Sequence, residues 1–360
     1  MIYKNMKTFI IAEAGVNHNG SYELAKQLID VAHCAGADAV KFQTFRAEDL
    51  ACTHAPKAEY QNRLIQDDVS QVAMLKSLEL NDSAQRELQQ YCKNKKILFL
   101  SSPFDLNSAS FLNALNLPMI KIPSGEITNF PLLFKIAKAD KSVILSTGMS
   151  TLGDIESALS ILACGYLQQA ALTNQSEIEN CYYSELGQAI LKEKVSLLHC
   201  VTEYPAPFYE VNLNAIKTLQ TAFGLRVGYS DHTMGIAISL GAVALGATII
   251  EKHFTLDKAL PGPDHQASLS PNELCDLVKG IREVELALGN GQKIPAKSEL
   301  QNRSIARKSI VALKTIKKGD ILTDNNIGCK RPGSGITAAK FYSYINSCAN
   351  RHYEPDELID

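Results

Sequence analysis

Two histidines in the C-terminal half of the chain each follow a short apolar run, and their spacing suggests a shared site. His232 ends the run LRVGYSDH, and His253 lies in ATIIEKHF, 21 residues further along. The stretch between them, GIAISLGAVALG, is typical of a helix packed on a sheet, so we expect both histidines at the carboxyl ends of neighbouring parallel strands. Two imidazoles placed in that way can bind one divalent metal ion. An ordinary structural role is the alternative, but the carboxylates beside them, Asp231 and Glu251, favour a metal site.

The elements that must position these residues are short apolar, β-rich runs, each followed by a helical pattern. Helices are predicted after the first run, over about 21–35, and before the third, over about 82–94. Eight strands that alternate with helices predict an α/β fold, a (β/α)8 TIM barrel, whose active site lies at the carboxyl ends of the strands. The predicted strands are TFIIAEAG (8–15), ADAVKFQT (37–44), KILFLSSP (96–103), LPMIKIPSG (117–125), SVILSTG (142–148), VSLLHCVTEYP (195–205), LRVGYSD (225–231) and ATIIEKHF (247–254).

Every predicted strand ends in polar residues, which a purely structural sheet does not require. Side chains two positions apart share a face, so Lys41 lies beside Gln43 and Glu251 beside His253. Lys41 and Lys121, with the serines near them, suit a small phosphorylated or carboxylated anion. A metal next to that anion would polarise the carbonyl of a second substrate. The polar residues at the strand ends are Glu13, Asn17, His18, Asn19, Lys41, Gln43, Ser101, Ser102, Lys121, Ser124, Glu126, Ser146, Thr147, His199, Tyr204, Ser230, His232, Glu251 and His253.

Composition excludes several classes of function. The 360 residues are 46% hydrophobic and carry a net charge of −2, which gives no electrostatic basis for binding nucleic acid or an anionic membrane. No apolar run approaches the roughly 18 residues of a membrane span, and the N-terminal run is too short for a signal peptide. Nine cysteines without a CxxC motif indicate reduced thiols and a cytoplasmic protein. No GxxxxGK[ST] loop for a nucleoside triphosphate occurs.

The pattern divides the chain into a barrel over 1–289, a linker over 290–303 and a small β-rich domain over 304–360. The small domain is predicted from strand-like pieces, SIVAL, ILT and IGCKR, separated by KKGD and RPGSG turns. A domain of that size is marginally stable alone, so we expect it to dock on its own barrel or on a partner's. The polar stretch 165–192 is predicted as a surface excursion with some helix, on the side opposite the strand carboxyl ends.

Taken together, these motifs closely resemble the sialic acid synthase family. Residues 304–360 resemble that family's C-terminal SAF domain, which is similar to type III antifreeze proteins. The resemblance covers nearly the whole chain, and its motifs are IAEAGVNHNG (11–20), VKFQTF (40–45), KAEYQ (57–61), IKIPSGEI (120–127), ILSTGM (144–149), LLHCVTEYPAP (197–207), GYSDHTMGI (228–236), IEKHFTLDK (250–258), PGPDH (261–265) and KRPGSGI (330–336).

What the resemblance implies is a metal-dependent condensation of phosphoenolpyruvate with the open-chain aldehyde of an N-acylated mannosamine-type sugar, with release of phosphate. The metal, typically Mn²⁺ with Mg²⁺ or Co²⁺ as alternatives, would be held by His232 and His253, and Glu13 would handle protons or orient metal-bound water. In the family the SAF domain crosses to the other subunit of a homodimer, where Arg331 would reach the partner's sugar. Phosphoenolpyruvate would contact Lys41, Ser102, Lys121, Ser124, Ser146 and Ser230, and the sugar Gln43, Glu126, Tyr204 and Asp264.

The resemblance leaves the product open between N-acetylneuraminate and N,N'-diacetyllegionaminate, with pseudaminate as an alternative. The corresponding sugars share their aldehyde end and differ at carbons 4 and 6, for which the sequence names no contacts. A Schiff-base lyase of the sialic acid aldolase type, with Lys121 as nucleophile, is a second alternative. A non-catalytic sugar-binding protein is a third.

Overall fold

The computed structural model describes residues 7–56, 70–167 and 174–360. Its eight parallel strands are β1 Phe9–Gly15, β2 Ala39–Thr44, β3 Leu98–Pro103, β4 Met119–Ile122, β5 Ser142–Ser146, β6 Val195–Cys200, β7 Arg226–Asp231 and β8 Ile249–His253. They are hydrogen-bonded in the order β3-β2-β1-β8-β7-β6-β5-β4, and the end strands β3 and β4 contact each other. The sheet therefore curves into a nearly closed barrel, and the predicted (β/α)8 fold is confirmed.

The helices begin and end where the sequence provides capping chemistry. Ser21 accepts a hydrogen bond from the backbone N–H of Leu24, and Ser270 and Glu273 form a capping box. None of the described helices has both the length and the apolar character that a membrane span needs. The described α-helices of the barrel are Tyr22–Ala35, Ala47–Leu50, Gln71–Leu78, Asp82–Lys95, Leu106–Ala114, Phe130–Lys138, Leu152–Leu167, Gln175–Tyr183, Glu185–Lys194, Asn214–Phe223, Ala237–Ala244 and Pro271–Leu288.

The inner face of the barrel changes from apolar to polar along each strand. A closed apolar layer fills the barrel toward the amino ends of the strands, and each strand then presents a polar side chain two residues later. On β1 the apolar residue is Ile11 and the polar one Glu13, and on β2 they are Ala39 and Lys41. The apolar layer, called the plug below, consists of Ile11, Ala39, Leu100, Ile144, Leu198 and Ile249.

Most of the described part of 165–192 is helical and is packed onto the barrel's outer layer. The helices Gln175–Tyr183 and Glu185–Lys194 contact Leu152–Leu167 and each other. Cys181 and Leu191 are buried there, so the segment has an apolar inner face as well as its polar outer face. Its position before β6 places it away from the carboxyl ends of the strands, as its place in the sequence predicts.

The chain separates into two compact units, Met1–Gly289 and Asn290–Asp360. In the second unit the strands β9 Ser309–Ala312 and β10 Ile327–Lys330 pair antiparallel, and the helices are Glu299–Ala306 and Phe341–Tyr344. Its core is a separate apolar cluster of Ile310, Ala312, Ile316, Leu322, Ile327, Ala349, Tyr353 and Ile359.

Two predictions for this region differ from the structure. The helix Glu299–Ala306 begins inside the segment predicted as a linker, 290–303, and it has no side-chain cap that would signal its start. The piece ILT is not part of a strand; Ile321 makes one isolated bridge, to Cys348. Both elements are too short for a hydrophobic period to reveal them.

Asp231, which the sequence suggested as a partner of the histidine site, faces away from the barrel interior. Neighbouring residues on a strand point to opposite faces, so Ser230 faces inward and Asp231 outward. Its carboxylate lies 3.0 Å from Lys252 Nζ and accepts hydrogen bonds from Thr233 and Ser239. Both members of the Asp231–Lys252 pair are almost completely buried, so Asp231 stabilises the β7–β8 edge of the barrel instead of serving the site.

Replacement of Asp231 should therefore destabilise the barrel strongly. In Asp231→Ala the Lys252 ammonium stays buried without its counter-charge, and we expect the free energy of unfolding in urea to fall by about 3–5 kcal/mol. Glu283→Ala provides the control, because its ion pair with Lys279 is exposed and should change stability little. Similar stabilities of the two variants would contradict this role of Asp231.

Candidate active site

The carboxyl ends of the strands surround a cavity of ≈ 500 Å³. Of the site residues predicted from the sequence, all except Asp231 and Arg331 line it. The structure thus brings together Glu13, Lys41, Gln43, Ser102, Lys121, Ser124, Glu126, Ser146, Tyr204, Ser230, His232, His253 and Asp264, together with Glu251.

Two lysines and two glutamates form the floor of this cavity, directly above the plug. The Lys41 ammonium lies 2.9 Å from Glu13 Oε1 and 3.8 Å from Glu251 Oε2, and it donates to Ser102 Oγ at 3.1 Å. All three charged side chains are nearly inaccessible to solvent.

Lys121 completes this floor from β4. Its ammonium donates to Ser146 Oγ at 2.7 Å and to the Ile122 carbonyl at 3.1 Å, and it lies 3.8 Å from Glu251 Oε1. Ser230 donates to the same carboxylate at 3.0 Å. The two lysine charges are therefore balanced within the cluster when both glutamates are ionised, and the serines beside them line the cavity.

The pKa values of the two carboxylates of the floor are shifted in opposite directions. Burial raises the pKa of Glu13 to about 8, and the neighbouring Lys41 ammonium opposes this only in part. Burial also acts to raise the pKa of Glu251, but Lys121 and Lys41 together outweigh it and the net shift is downward. Glu251 is thus a permanent counter-charge, whereas Glu13 can gain and lose a proton near neutral pH.

His232 and His253 stand side by side above the floor, with ring centroids 5.5 Å apart. Burial lowers the pKa of His232 to about 4 and that of His253 well below its usual value, so both imidazoles are neutral. His232 Nδ1 donates to the Val201 carbonyl at 2.6 Å, which leaves its Nε2 with a free lone pair. The Tyr204 ring packs on His232 with centroids 4.1 Å apart.

These neutral imidazoles fit a divalent metal ion. His253 Nδ1 is buried without a hydrogen-bond partner in the described structure, 3.7 Å from Asp264 Oδ2. Within 7–56, 70–167 and 174–360, no three His, Cys, Asp or Glu side chains are grouped as a ready-made metal site. Two histidines would therefore leave the remaining positions of an ion to water and substrate, as in an open catalytic site.

The predicted sugar contacts lie on different sides of the cavity. Gln43 extends from β2, and Glu126 lies in a short turn after β4, where its carboxylate accepts from Asn129. Burial raises the pKa of Glu126, and it raises that of Asp264 to about 6. Tyr204 and Asp264 both border the histidines.

Two residues near Ser124, Cys200 and Thr202, also line the cavity but were not singled out from the sequence. Ser124 Oγ lies 3.1 Å from Cys200 Sγ and accepts from the Gly148 N–H at 3.0 Å. A Cβ at Gly148 would lie 2.3 Å from Thr202 Oγ1 and 2.8 Å from Ser124 Oγ, so only glycine fits there. The signal for Cys200 was present in the sequence, since it stands two residues after Leu198 of the plug.

One side of the cavity is apolar, and no pattern in the sequence indicated it. We call it the apolar wall; it consists of Leu50, Met74, Leu75, Leu78 and Phe104. It comes from the connections that follow β2 and β3, for which no cavity-lining residues were predicted from the sequence. No strand period marks these residues, so their shared face appears only in the folded chain.

Arg331 lies in the second unit, Asn290–Asp360. Its side chain is exposed, and its Nε donates to the Ala306 carbonyl at 3.0 Å. Its predicted role toward a partner's sugar stays a prediction.

Comparisons with known proteins match both units. The model of the NeuB family matches residues 28–293, and the SAF domain model matches residues 307–360. An N,N'-diacetyllegionaminic acid synthase of Campylobacter jejuni is 52% identical over 353 residues, which cover 98% of this chain and 99% of that protein. A protein of the same name from Legionella pneumophila is 42% identical over 95% of this chain and 90% of its own length.

A solved structure of similar sequence has a similar fold. The N-acetylneuraminic acid synthetase of Leptospira borgpetersenii, in complex with citrate, is 34% identical and aligns with a TM-score of 0.66. The alignment covers 82% of this chain and 90% of that one.

Removal of the Lys121 charge tests whether the floor binds anions. Lys121→Met keeps the length of the side chain but deletes the ammonium that faces Ser146. We expect the affinity for inorganic phosphate, measured by isothermal titration calorimetry, to fall about tenfold or more, because a hydrogen bond to a charged group contributes about 1.5–3 kcal/mol. Lys279→Met, on an exposed helix face, is the matched control and should bind phosphate as the wild type does. Equal affinities in both variants would exclude Lys121 from an anion site.

Proposed function

This chain belongs to the NeuB family, and from that premise we propose that it is a sialic-type acid synthase. It condenses phosphoenolpyruvate with the open-chain aldehyde of an N-acylated mannosamine-type sugar and releases inorganic phosphate. The observation that carries the proposal is the cavity floor, where Lys41 and Lys121 meet serine hydroxyls beneath two neutral histidines.

Phosphoenolpyruvate suits this floor because it carries a phosphate and a carboxylate close together. Lys41 with Ser102 and Lys121 with Ser146 provide two separate cation–hydroxyl pairs for these two anionic groups. Ser124 and Ser230 add further hydroxyls from β4's turn and β7. Glu251 keeps both lysines charged in the resting site, and it need not move for the substrate to bind.

Glu13 is the group that we propose for proton transfer. In the condensation a bond forms between C3 of phosphoenolpyruvate and the aldehyde carbon, and the aldehyde oxygen must gain a proton. Water then adds at C2, and phosphate leaves with its bridging oxygen. Glu13 holds a proton near neutral pH because burial raises its pKa to about 8, and its Oε2 lacks a partner in the described structure.

His232 and His253 are the proposed ligands of a divalent metal ion, Mn²⁺ with Mg²⁺ or Co²⁺ as alternatives. When bound, such an ion supplies Lewis-acid polarisation of the sugar aldehyde, which compensates for the weak nucleophilicity of the enol carbon. The neutral state of both imidazoles and the unpartnered His253 Nδ1 support this assignment. The Val201 carbonyl keeps His232 in the orientation that presents Nε2.

A Schiff-base lyase remains the rival, and one observation favours it. Burial lowers the pKa of Lys121, as imine chemistry requires. The histidine pair has no function in that chemistry. Borohydride reduction in the presence of pyruvate separates the two: a covalent adduct on Lys121 would overturn the synthase proposal, and an unmodified lysine supports it.

We also propose that the chain acts as a homodimer in the cytoplasm, with exchanged SAF domains and Arg331 directed at the partner's sugar. A small second domain over the cavity would exclude water while the new carbon–carbon bond forms. The nine cysteines, all present as free thiols, support a reducing compartment.

Metal removal should silence the enzyme reversibly. After dialysis against EDTA, phosphate release from phosphoenolpyruvate plus N-acetylmannosamine should disappear, and Mn²⁺ should restore it. His253→Ala should lower kcat at least about 100-fold with an unchanged circular dichroism spectrum, since one of two protein ligands is lost. His33→Ala, an exposed histidine, is the control. Full activity in EDTA or in His253→Ala would contradict the metal assignment.

Complementation between two inactive variants tests the exchanged dimer. His253→Ala disables the barrel, and Arg331→Ala disables the second domain. If Arg331 acts on the partner's site, co-expressed variants regain about a quarter of wild-type activity, because half of the dimers are mixed and each mixed dimer has one intact site. If Arg331 acts within its own chain, no activity returns, and the exchange is refuted.

A further inference from the structure

Asn17 and Asn19 follow β1 and were predicted among the polar residues at the strand ends, but neither lines the cavity. Both side chains donate hydrogen bonds to the long connection that follows β8, and Asn17 is buried. We call this connection, residues 254–269, the β8 loop. It carries Asp264, the cavity carboxylate whose Oδ2 lies 3.7 Å from His253 Nδ1. The two asparagines therefore contact a segment that reaches the site.

The β8 loop leaves the barrel and returns to the same place. The Leu269 N–H donates to the His253 carbonyl at 2.9 Å, and the Thr255 N–H donates to the Leu269 carbonyl at 2.8 Å. The two ends of the loop thus lie side by side, and Asp264 comes five residues before its return. Backbone groups inside such a loop have no strand ladder, so they need side chains as hydrogen-bond partners.

Asn17 joins the two ends of the β8 loop. Its Nδ2 donates to the Phe254 carbonyl at 2.8 Å and to Ser268 Oγ at 2.9 Å. Ser268 Oγ in turn donates to the Asp264 carbonyl at 2.6 Å. An amide nitrogen can only donate, so Ser268 accepts from it and keeps its own hydrogen for Asp264. Two hydrogen bonds in series therefore connect Asn17 to the backbone of Asp264.

Asn19 holds the middle of the β8 loop by the same chemistry. Its Nδ2 donates to the Pro261 carbonyl at 2.8 Å, and its Oδ1 lies 3.2 Å from His265 Nε2. Because that oxygen can only accept, His265 is the donor. His265 directly follows Asp264, so the backbone on both sides of this carboxylate is tied to the connection after β1.

Packing alone does not account for an amide at position 17. Asn17 Oδ1 is buried without a hydrogen-bond partner in the described structure. A buried acceptor without a partner lowers stability, and an apolar side chain of the same shape would avoid that loss. The presence of Asn17 is therefore explained by the two groups that its Nδ2 holds.

We propose that Asn17 is a positioning residue for the condensation: through Ser268 it holds Asp264 beside His253, where Asp264 contacts the sugar. This inference rests on the proposed function, which assigns that contact to Asp264. A displacement of about 1 Å in a group that positions substrate can lower activity about 100-fold, so the β8 loop must be held firmly. Asn17 does this from outside the cavity lining.

Removal of the Asn17 amide tests the proposal. In Asn17→Ala the Phe254 carbonyl and Ser268 lose their donor, and Asp264 is no longer held. We expect kcat/KM for the sugar, measured by phosphate release, to fall about tenfold or more. The sugar is N-acetylmannosamine or its 2,4-diacetamido-6-deoxy counterpart, whichever the wild type uses better. The Kd for inorganic phosphate, measured by calorimetry, should stay within about twofold of the wild type, because a hydrogen bond to the floor is not removed.

Two further variants complete this test. If Asn17→Ala does not fold, Ser268→Ala replaces it, since this change removes only the link between Asn17 and Asp264. Ser160→Ala is the matched control. Ser160 is also a buried serine that donates to the carbonyl four residues earlier, but it lies in the helix Leu152–Leu167, outside the cavity lining. It should leave kcat/KM for the sugar unchanged.

A double-mutant cycle separates positioning from general support of the fold. If Ser268 acts through Asp264, Ser268→Ala causes no further loss of kcat/KM once Asp264→Ala has removed the carboxylate. If the two losses multiply, the positioning role is overturned. Wild-type kcat/KM in a folded Asn17→Ala or Ser268→Ala variant overturns it as well. Absence of phosphate release by the wild type with either sugar would instead refute the synthase function, and with it the sugar contact of Asp264.

Discussion

The barrel tolerates its active-site floor because Glu251 places a permanent negative charge beside both buried lysines, and Glu13 adds a second one when it is ionised. Lys41, Lys121, Glu13 and Glu251 are each at most 5% exposed as side chains, and each lies within 4 Å of an opposite charge. Removal of one member leaves an uncompensated charge in a medium that solvates it poorly, which costs several kcal/mol. The four residues are therefore one unit. In the proposed function the same residues bind the substrate, so a change at the floor is expected to affect both binding and folding.

The geometry that assembles this unit is the two-residue period of the strands. Each inward position toward the amino end contributes to the plug, and the next inward position contributes to the floor. Burial above the plug acts to raise the pKa of both Glu13 and Glu251, but Lys121 and Lys41 reverse the net shift at Glu251, so the two carboxylates differ in proton affinity. Outward positions serve a different purpose, as the Asp231–Lys252 pair shows.

This period explains what the sequence could and could not predict. The eight strands and the inward polar residues follow from local alternation, so the polar floor and the histidine pair could be anticipated. The prediction that Asp231 belongs to the histidine site was wrong. Asp231 is next to His232 in the sequence, but neighbouring residues on a strand point to opposite faces, and Ser230 is the one that faces inward. The apolar wall and Cys200 were missed for different reasons. Cys200 is a thiol on an apolar strand and looked like core, whereas the wall is assembled from connections that carry no period. The helix Glu299–Ala306 lacks a start signal altogether.

The plug also makes the cavity blind-ended, since the barrel interior is closed beneath Lys41 and Lys121. Substrates and products must then use one mouth. In the proposed function the anion binds at the bottom of the cavity and the sugar above it, so a bound sugar would obstruct the path to the floor. We therefore expect a compulsory order in which phosphoenolpyruvate enters before the sugar, and in which the phosphate released at the floor departs only after the nine-carbon acid has left through the mouth.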